Sequence, residues 1–226
     1  MNKRGALLVG LGMAAAATAC GHPDQRVVDQ YFNALRQGDT QTLTSFALVQ
    51  LDQKVQSWKI TGSTPETTAP APLPDLIKKV QQVEADLAAN KRTTQSYANE
   101  DNGKRFLQIQ EVQEAQKKGA KVPPALAEVA QKWAEFNDKD RTLKKQLAEA
   151  RTAVDHEKRN VTLSVGNQND VENMTGQMVT RDLDLDLTIA GEVKPYAMTL
   201  KRYDLQGGTT GRVVSRWFIY SLKPKA

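Results

Sequence analysis

The sequence contains few of the residues that form disulfides or bind zinc. It contains one cysteine, Cys20, and two histidines, His22 and His156, among 226 residues. A single thiol excludes an internal disulfide framework. Two histidines without further cysteines leave zinc sites and Ser-His or Cys-His nucleophilic sets incomplete. We therefore expect no metal, no cofactor and no catalytic residues, and a protein that is not an enzyme.

An excess of charge of one sign is also missing. The 31 basic and 26 acidic side chains give a formal charge of +5, and leaving out Lys3 and Arg4 gives 29 basic and 26 acidic groups from residue 20 onwards, a net charge of +3. So small an excess is not typical of a nucleic-acid-binding protein, and we expect no nucleic-acid partner. Aromatic residues make up only 6% of the chain, which predicts much solvated helix beside one compact domain.

The apolar run at the N-terminus ends at the lone cysteine. Lys3 and Arg4 precede a stretch shorter than the roughly 20 apolar residues that span a bilayer, which predicts a secretory signal peptide over residues 1–19. The sequence ATAC, residues 17–20, resembles the bacterial lipobox, with Ala17 where that motif usually has leucine. The resemblance implies a lipid-anchored protein on the periplasmic or extracytoplasmic face of the bacterial cell envelope. Cys20 would be the lipidation site and the membrane a partner.

The segment that follows Cys20 has apolar residues at helical spacing. The apolar residues at helical spacing are Val27, Val28, Tyr31, Phe32 and Leu35. Gly38 then predicts a C-terminal cap, and Asp39 predicts the start of a second short helix. Residues 53–61, QKVQSWKIT, predict a strand. The proline-rich residues 63–72 predict a linker, because proline cannot donate a hydrogen bond within a central strand.

Residues 73–160 predict a long antiparallel coiled-coil hairpin. In the second arm, apolar residues alternate spacings of three and four with one polar exception, Asp140. These positions are Leu126, Val129, Trp133, Phe136, Asp140, Leu143, Leu147, Ala150 and Val154. Gly119, Pro123 and Pro124 predict the turn between the arms. Folding there places the polar residues 101–105 opposite residues 137–141, which is compatible either with a shared polar layer or with a solvated, frayed surface.

After residue 161 apolar residues recur at every second position. We expect four antiparallel strands, over residues 160–167, 181–189, 194–205 and 212–222. The clearest is RDLDLDLTI, in which Asp182, Asp184 and Asp186 alternate with leucines. We expect these aspartates to form an exposed face paired with Lys201, Arg202 or Arg216. A calcium site built from them would need further loop ligands, which the sequence does not offer.

Two short helices, a strand and a long antiparallel meander resemble the NTF2-like fold. The resemblance lies in residues 31–43, YFNALRQGDTQTL, and in the C-terminal strands. It implies an α+β fold, a curved antiparallel sheet with N-terminal helices, formed by residues 20–62 and 161–226 and interrupted by the hairpin. With the lipobox and residues 166–177, GNQNDVENMTGQ, the chain resembles bacterial lipoproteins whose NTF2-like domain carries an inserted helical hairpin.

These resemblances imply a binding or scaffolding function, with a protein partner for the hairpin. Trp58, Tyr196 and Trp217 are candidate lining residues of an NTF2-like pocket. Two alternatives remain open. Isomerases and cyclases of the NTF2-like superfamily use a pocket carboxylate as base, for which the three aspartates are the candidates. Periplasmic adaptors of efflux pumps also combine a lipid anchor with a long hairpin, although the turn KKGAKVPPALAEV lacks their tip pattern.

Overall fold

The computed structural model describes residues 24–168, 170–207, 211, 213 and 215–225. Cys20 and the predicted signal peptide lie outside these residues. Helices and one antiparallel open sheet make up the described part, which confirms the α+β class. None of the helices in these ranges is long and apolar enough to cross a membrane.

The elements follow the chain in a fixed order, with the long helices inserted between short and long strands. The helices are α1 Gln25–Gln37, α2 Thr40–Phe46, α3 Leu73–Ala98, α4 Lys104–Lys117 and α5 Ala127–Val165. The strands are β1 Val55–Ser63, β2 Thr67–Pro70, β3 Thr175–Ile189, β4 Glu192–Gln206 and β5 Phe218–Pro224.

The opening helices form as predicted. Val28, Tyr31 and Phe32 are buried on one face of α1, and Gly38 ends the helix in a left-handed conformation at φ 69°. Asp39 caps α2, because its carboxylate accepts a hydrogen bond from the Thr42 amide at 3.0 Å. The Thr42 hydroxyl donates to the other carboxylate oxygen at 2.6 Å, and this bond, together with the amide bond, lowers the pKa of Asp39. The sharp turn directs both helices onto the same sheet.

A long ribbon of two strands forms the centre of the sheet. β3 and β4 pair along their whole length, and the two-residue turn at Ala190 and Gly191 has positive φ at both positions, as a twisted hairpin requires. β1 and β2 pair with successive parts of β3, and β5 pairs with β4. Beyond β5, Ala47 bridges Ile219 and the Leu48 amide donates to the Ile219 carbonyl at 2.9 Å.

The two halves of β4 bury opposite faces of the sheet. Buried side chains are even-numbered up to Leu200 and odd-numbered from Tyr203, while pairing with β3 continues without a register shift. Successive side chains of a strand point to opposite faces, so the covered face changes between these residues. α1 covers the first half, where Phe32 stacks on Trp58 at 5.0 Å. The end of α5 covers the second, where Ser164 Oγ accepts from the Tyr203 amide at 2.8 Å.

The segment over residues 63–72 was expected to be a linker, and it contains a strand instead. β2 pairs with the first half of β3, with Thr67 opposite Thr180 and Pro70 opposite Gln177. All four β2 residues are exposed. β2 lies at the edge of the sheet, where a proline removes no central ladder hydrogen bond. Proline therefore excludes a central position here but not strand structure.

The predicted strand over residues 160–167 is wrong, because α5 continues to Val165. Buried residues in this part of α5 recur every three or four positions, at Val154, Glu157, Val161 and Ser164. That spacing places them on one helix face, which packs on the sheet. Tertiary burial of this face outweighs the strand preference of the local valines and threonine. In the described residues the C-terminal meander therefore has three strands rather than four.

α3 and α5 run side by side in opposite directions. Arg151 pairs with Glu84 at 2.7 Å, and the Asn90 side chain donates to the Phe136 carbonyl at 3.3 Å. α3 ends before a break in which Asp101 and Asn102 are left-handed, both at φ 55°. Beyond the break, α4 and α5 share a second hydrophobic cluster, separate from the main core. It comprises Ile109, Val112, Leu126 and Val129.

The polar residues near the middle of the helical pair form local ion pairs. Asp140 pairs with Lys144 one turn further along α5, at 2.7 Å. Arg105 pairs with Glu100 and Asp101 of its own segment, at 3.7 and 3.6 Å. These contacts favour the solvated surface over the shared polar layer, since each arm compensates its own charges.

Ile109→Ala is expected to destabilise the distal helices while sparing the sheet. Ile109 is 3% exposed, and such a truncation costs about 2 to 5 kcal/mol when the site is well packed. Hydrogen exchange should therefore accelerate in α4 and the first half of α5 but not in β3 or β4. Leu107→Ala is the matched control, because Leu107 is 63% exposed. Equal effects of the two variants would contradict the packing.

Leu185→Ala and the triple change of Asp182, Asp184 and Asp186 to Asn are expected to differ sharply. Leu185 is 1% exposed, so its truncation should cost about 2 to 5 kcal/mol. Exposed ion pairs contribute at most about 1 kcal/mol each, so the triple variant should unfold at nearly the wild-type denaturant concentration. Chemical denaturation measures both. A wild-type midpoint for Leu185→Ala would refute the register of β3.

Candidate functional site at the helix–sheet junction

A group of polar side chains is buried where α5 crosses β4. Glu157 and Asn160 lie one turn apart on α5 and are 8% and 2% exposed, and Tyr203 of β4 is fully buried beneath them. Residues three apart share a helix face, so both α5 side chains point at the sheet. We call Glu157, Asn160, Tyr203 and the neighbouring His156 the junction cluster.

Both carboxylate oxygens of Glu157 accept hydrogen bonds. Tyr203 Oη donates to Oε1 at 2.6 Å, and Asn160 Nδ2 donates to Oε2 at 3.0 Å. Asn160 Nδ2 also lies 3.5 Å from His156 Nδ1. The Tyr203 ring stacks on Phe218 at 6.2 Å, which fixes the direction of its hydroxyl. The junction cluster thus joins α5 to β4 through a short hydrogen bond to a charged acceptor, the stronger class of hydrogen bond.

Burial shifts the pKa of two side chains in this region, Tyr203 and Lys201. Burial raises the pKa of Tyr203 well above its usual range, and the hydrogen bond to Glu157 raises it further. Burial lowers the pKa of Lys201, while the negative charges of Glu157 and Asp182 oppose that change. At neutral pH the Tyr203 phenol is therefore a hydrogen-bond donor and cannot serve as a base.

A shallow cavity of about 650 Å³ opens beside the junction cluster. Its lining residues are Leu76, Ala148, Glu149, Thr152, Ala153, His156 and Glu157. The described residues bring together no group of three His, Cys, Asp or Glu side chains that could hold a metal ion. Because both oxygens of Glu157 are already hydrogen-bonded, the arrangement is suited to fixing the helix on the sheet rather than to acid–base chemistry.

The three aromatics predicted to line a pocket lie in separate environments. Trp58 stacks on Phe32, and its Nε1 donates to Asp29 at 2.7 Å. Tyr196 is 3% exposed, and its hydroxyl donates to Gln53 at 3.3 Å. The sheet face between them is filled by fully buried side chains. These are Tyr31, Phe32, Leu185, Leu187, Met198 and Leu200. The part of the core that the structure describes is therefore packed rather than hollow.

Trp217 lies at the other end of the β3–β4 ribbon, half-buried beneath two arginines. Its ring centroid is 4.7 Å from Arg202 Cζ and 6.0 Å from Arg181 Cζ. Arg181 pairs with Asp24 at 2.8 Å and with Glu66 at 2.9 Å, and Arg202 pairs with Glu66 at 3.5 Å. This is a charge-compensated cluster around one indole.

The aspartates of β3 lie on the exposed face as expected. Of their predicted partners, Lys201 is close enough to Asp182 for that negative charge to oppose the lowering of the Lys201 pKa by burial, whereas Arg202 and Arg216 are engaged elsewhere. Asp182 accepts from Thr199 Oγ1 at 2.6 Å, and Asp184 pairs with Lys225 at 2.7 Å. Arg202 pairs with Glu66, and Arg216 donates to the backbone carbonyls of Ser45 and Leu163. Lys201 lies 3.6 Å from the centroid of the Tyr220 ring. The pairing of the strands explains why the partner of Asp184 differs from those predicted, because it places Lys225 beside this aspartate.

The junction cluster was not predicted from the sequence, although one signal for it was present. Glu157 occupies the buried stripe of α5 between Val154 and Val161, where an apolar residue is the rule. A charged residue at such a position indicates a buried partner. Tyr203 could not be matched to it without knowing that β4 changes its buried face.

Tyr203→Phe is expected to lower the free energy of unfolding by about 1 to 3 kcal/mol at neutral pH, because Glu157 stays buried and loses a donor. This deficit should shrink in alkaline solution. Tyrosine ionises near pH 10 in unfolded chains, whereas folding raises the pKa of Tyr203. As the pH rises above about 10, the wild type therefore loses the stability that the Tyr203 hydroxyl contributes. The Tyr203→Phe variant has no such hydroxyl and does not lose it.

Urea unfolding at neutral and alkaline pH measures both effects. Tyr97→Phe is the control, since Tyr97 is half-buried on α3, away from the sheet, and contacts Phe136. The difference in unfolding free energy between Tyr97→Phe and the wild type should not change with pH. A Tyr203→Phe deficit that stays constant with pH would contradict the assignment.

Comparison with models of protein families, with curated proteins and with solved structures finds no match to this chain. Its function has to be inferred from its own residues and their geometry.

Proposed function

We propose that the protein is a lipid-anchored lipoprotein of the bacterial cell envelope that acts as a binding or scaffolding module. In this proposal Cys20 carries the lipid, and residues 24–70 and 170–225 form an NTF2-like domain. α3, α4 and α5 form a projecting coiled-coil hairpin that contacts a protein partner.

The observation that carries the proposal is the separation of the helical pair into two packed regions. α5 has 39 residues and is about 58 Å long at 1.5 Å per residue. Only its C-terminal part joins the main core, through Val154, Val161 and Val165. The distal part has its own cluster around Val112, which is 0% exposed. A helix pair that stays packed beyond the sheet presents a long surface that the sheet does not need for its own stability.

A buried asparagine supports the coiled-coil assignment. Asn90 is 4% exposed in the contact between α3 and α5, where it donates to the Phe136 carbonyl. One buried asparagine among apolar seam residues fixes register in coiled coils at some cost in stability. The flanking pair of Glu84 and Arg151 lies across the same contact. A fixed register suits a surface that has to present the same side chains to a partner each time.

The packed core supports scaffolding over small-molecule chemistry. Tyr31 and Phe32 of α1 fill the sheet face where an NTF2-like pocket would open, and the hydroxyl of Tyr31 donates to the Val49 carbonyl at 3.2 Å. Burial raises the pKa of Tyr31 to about 12, so it also remains neutral. The order α1, α2, β1 and then the long ribbon supports the NTF2-like assignment, with the helices inserted between β2 and β3.

The test compares three forms of the protein in envelope membranes: intact, Cys20→Ser, and a form in which a Gly-Ser turn replaces residues 88–147. The shortened form keeps every hydrophobic residue of the main core and loses the distal cluster. The intact protein should incorporate a fatty-acid analogue and cross-link to a discrete partner. Cys20→Ser should lose the label, and the shortened form should keep the label but lose the cross-link.

The two parts of the proposal fail in different ways. Equal fatty-acid label on the intact protein and Cys20→Ser would refute lipid anchoring. An unchanged cross-linked partner on the shortened form, with the sheet still folded by circular dichroism, would refute the binding role of the hairpin.

A further inference from the structure

Asp24, at the start of α1, is held firmly in the domain. Asp24 is 1% exposed, and its carboxylate pairs with Arg181 at 2.8 Å. Its carbonyl accepts hydrogen bonds from the Val27 and Val28 amides at 3.1 and 3.2 Å, which starts α1. Both the side chain and the backbone of Asp24 are therefore held by contacts within the domain, and its ion pair with Arg181 ties the start of α1 to β3.

Only a short piece of chain separates this residue from the proposed lipid. Asp24 is four residues after Cys20, and a fully extended chain spans at most about 3.6 Å per residue, which gives about 14 Å. This limit holds for any conformation of the intervening residues. The domain is much larger than this tether, since α5 alone is about 58 Å long. If Cys20 lies at a membrane surface, the part of the domain around Asp24 has to lie close to that surface.

The side chains around Asp24 have the chemistry of a membrane interface. We call Glu66, Arg181, Arg202 and Trp217 the Trp217 face; Asp24, which pairs with Arg181, is itself buried. Tryptophan and arginine both place an apolar body beside a polar tip, and tryptophan is enriched at headgroup level. The arginines are compensated by Asp24, Glu66 and Asp204, so this face carries no net positive charge to draw it to anionic lipid. The tether supplies the attraction instead.

We propose that the short tether holds the Trp217 face against the phospholipid headgroups of the membrane in which Cys20 is anchored. This inference rests on the proposed lipidation of Cys20. It names a phospholipid surface, rather than a second protein, as the occupant of the Trp217 face. Because charge is not the driving force, docking occurs on zwitterionic lipid as readily as on anionic lipid.

The experiment uses the acylated full-length protein in phosphatidylcholine vesicles that carry a headgroup spin label, which quenches nearby tryptophans. Trp58→Phe with Trp133→Phe leaves Trp217 as the sole emitter, and Trp58→Phe with Trp217→Phe leaves Trp133. Trp133 packs on the distal cluster and serves as the matched control. Labelled lipid should cause a loss of Trp217 emission and leave Trp133 emission unchanged. A Gly-Ser spacer between residues 23 and 24 should restore Trp217 emission.

Each outcome decides a different step. Equal quenching of the two tryptophans, or no quenching of Trp217 while the protein floats with the vesicles, would overturn the docking. Quenching that persists with the spacer, or that requires anionic lipid, would overturn the tether as its cause. Failure to float with the vesicles, as for Cys20→Ser, would refute the anchor itself. Should a single-tryptophan variant melt early, photo-crosslinking lipid applied to the unaltered protein has to label the Trp217 face for the proposal to stand.

Discussion

Strand β4 of the β3–β4 ribbon buries one face of the sheet along its first half and the other face along its second half, whereas all buried residues of β3 are odd-numbered and lie on one face. Leu185 and Met198 face α1, whereas Tyr203 and Leu205 are buried on the opposite side. One continuous pair of strands thereby supports two separate packing partners, the opening helices and the end of the helical pair. Arg181 and Arg202 lie on the α1 side of the sheet, where Arg181 pairs with Asp24 at the start of that helix. The position of the junction cluster follows from the change of buried face along β4.

The attachment of the helical pair to the sheet is polar as well as apolar. Ser164 accepts from the Tyr203 amide and donates to the Arg216 carbonyl at 3.0 Å. The Arg216 guanidinium donates to the Ser45 and Leu163 carbonyls, each at 2.9 Å. These carbonyls lie in the last turns of α2 and α5, where helical acceptors lack intrahelical donors. One arginine therefore supplies donors to carbonyls at the ends of two helices and links α2 to α5.

Periodicity was sufficient to predict the regular elements, and it failed where tertiary contacts decide. The alternation of Leu183, Leu185 and Leu187 determines a half-buried strand without any knowledge of its neighbours. The valines near the end of α5 have strand preference, and their burial on the packed face of the helix outweighs it. Thr67–Pro70 forms an edge strand because β3 extends past the end of β1, which no local pattern reveals. The partners of the β3 aspartates depend on where β5 ends, which is likewise non-local.

The two borders of the sheet are closed by different devices. β1 carries irregularities in its pairing between Val55 and Ser57 and between Ile60 and Gly62, and such bulges bend a strand so that it no longer offers a straight row of free amides and carbonyls. On the opposite border, Ala47 and Leu48 occupy part of β5. The remaining edge strand, β2, has only four residues and ends at Pro70, which has no amide hydrogen to donate. A second copy of the chain could therefore pair with this sheet only after one of these borders had rearranged locally.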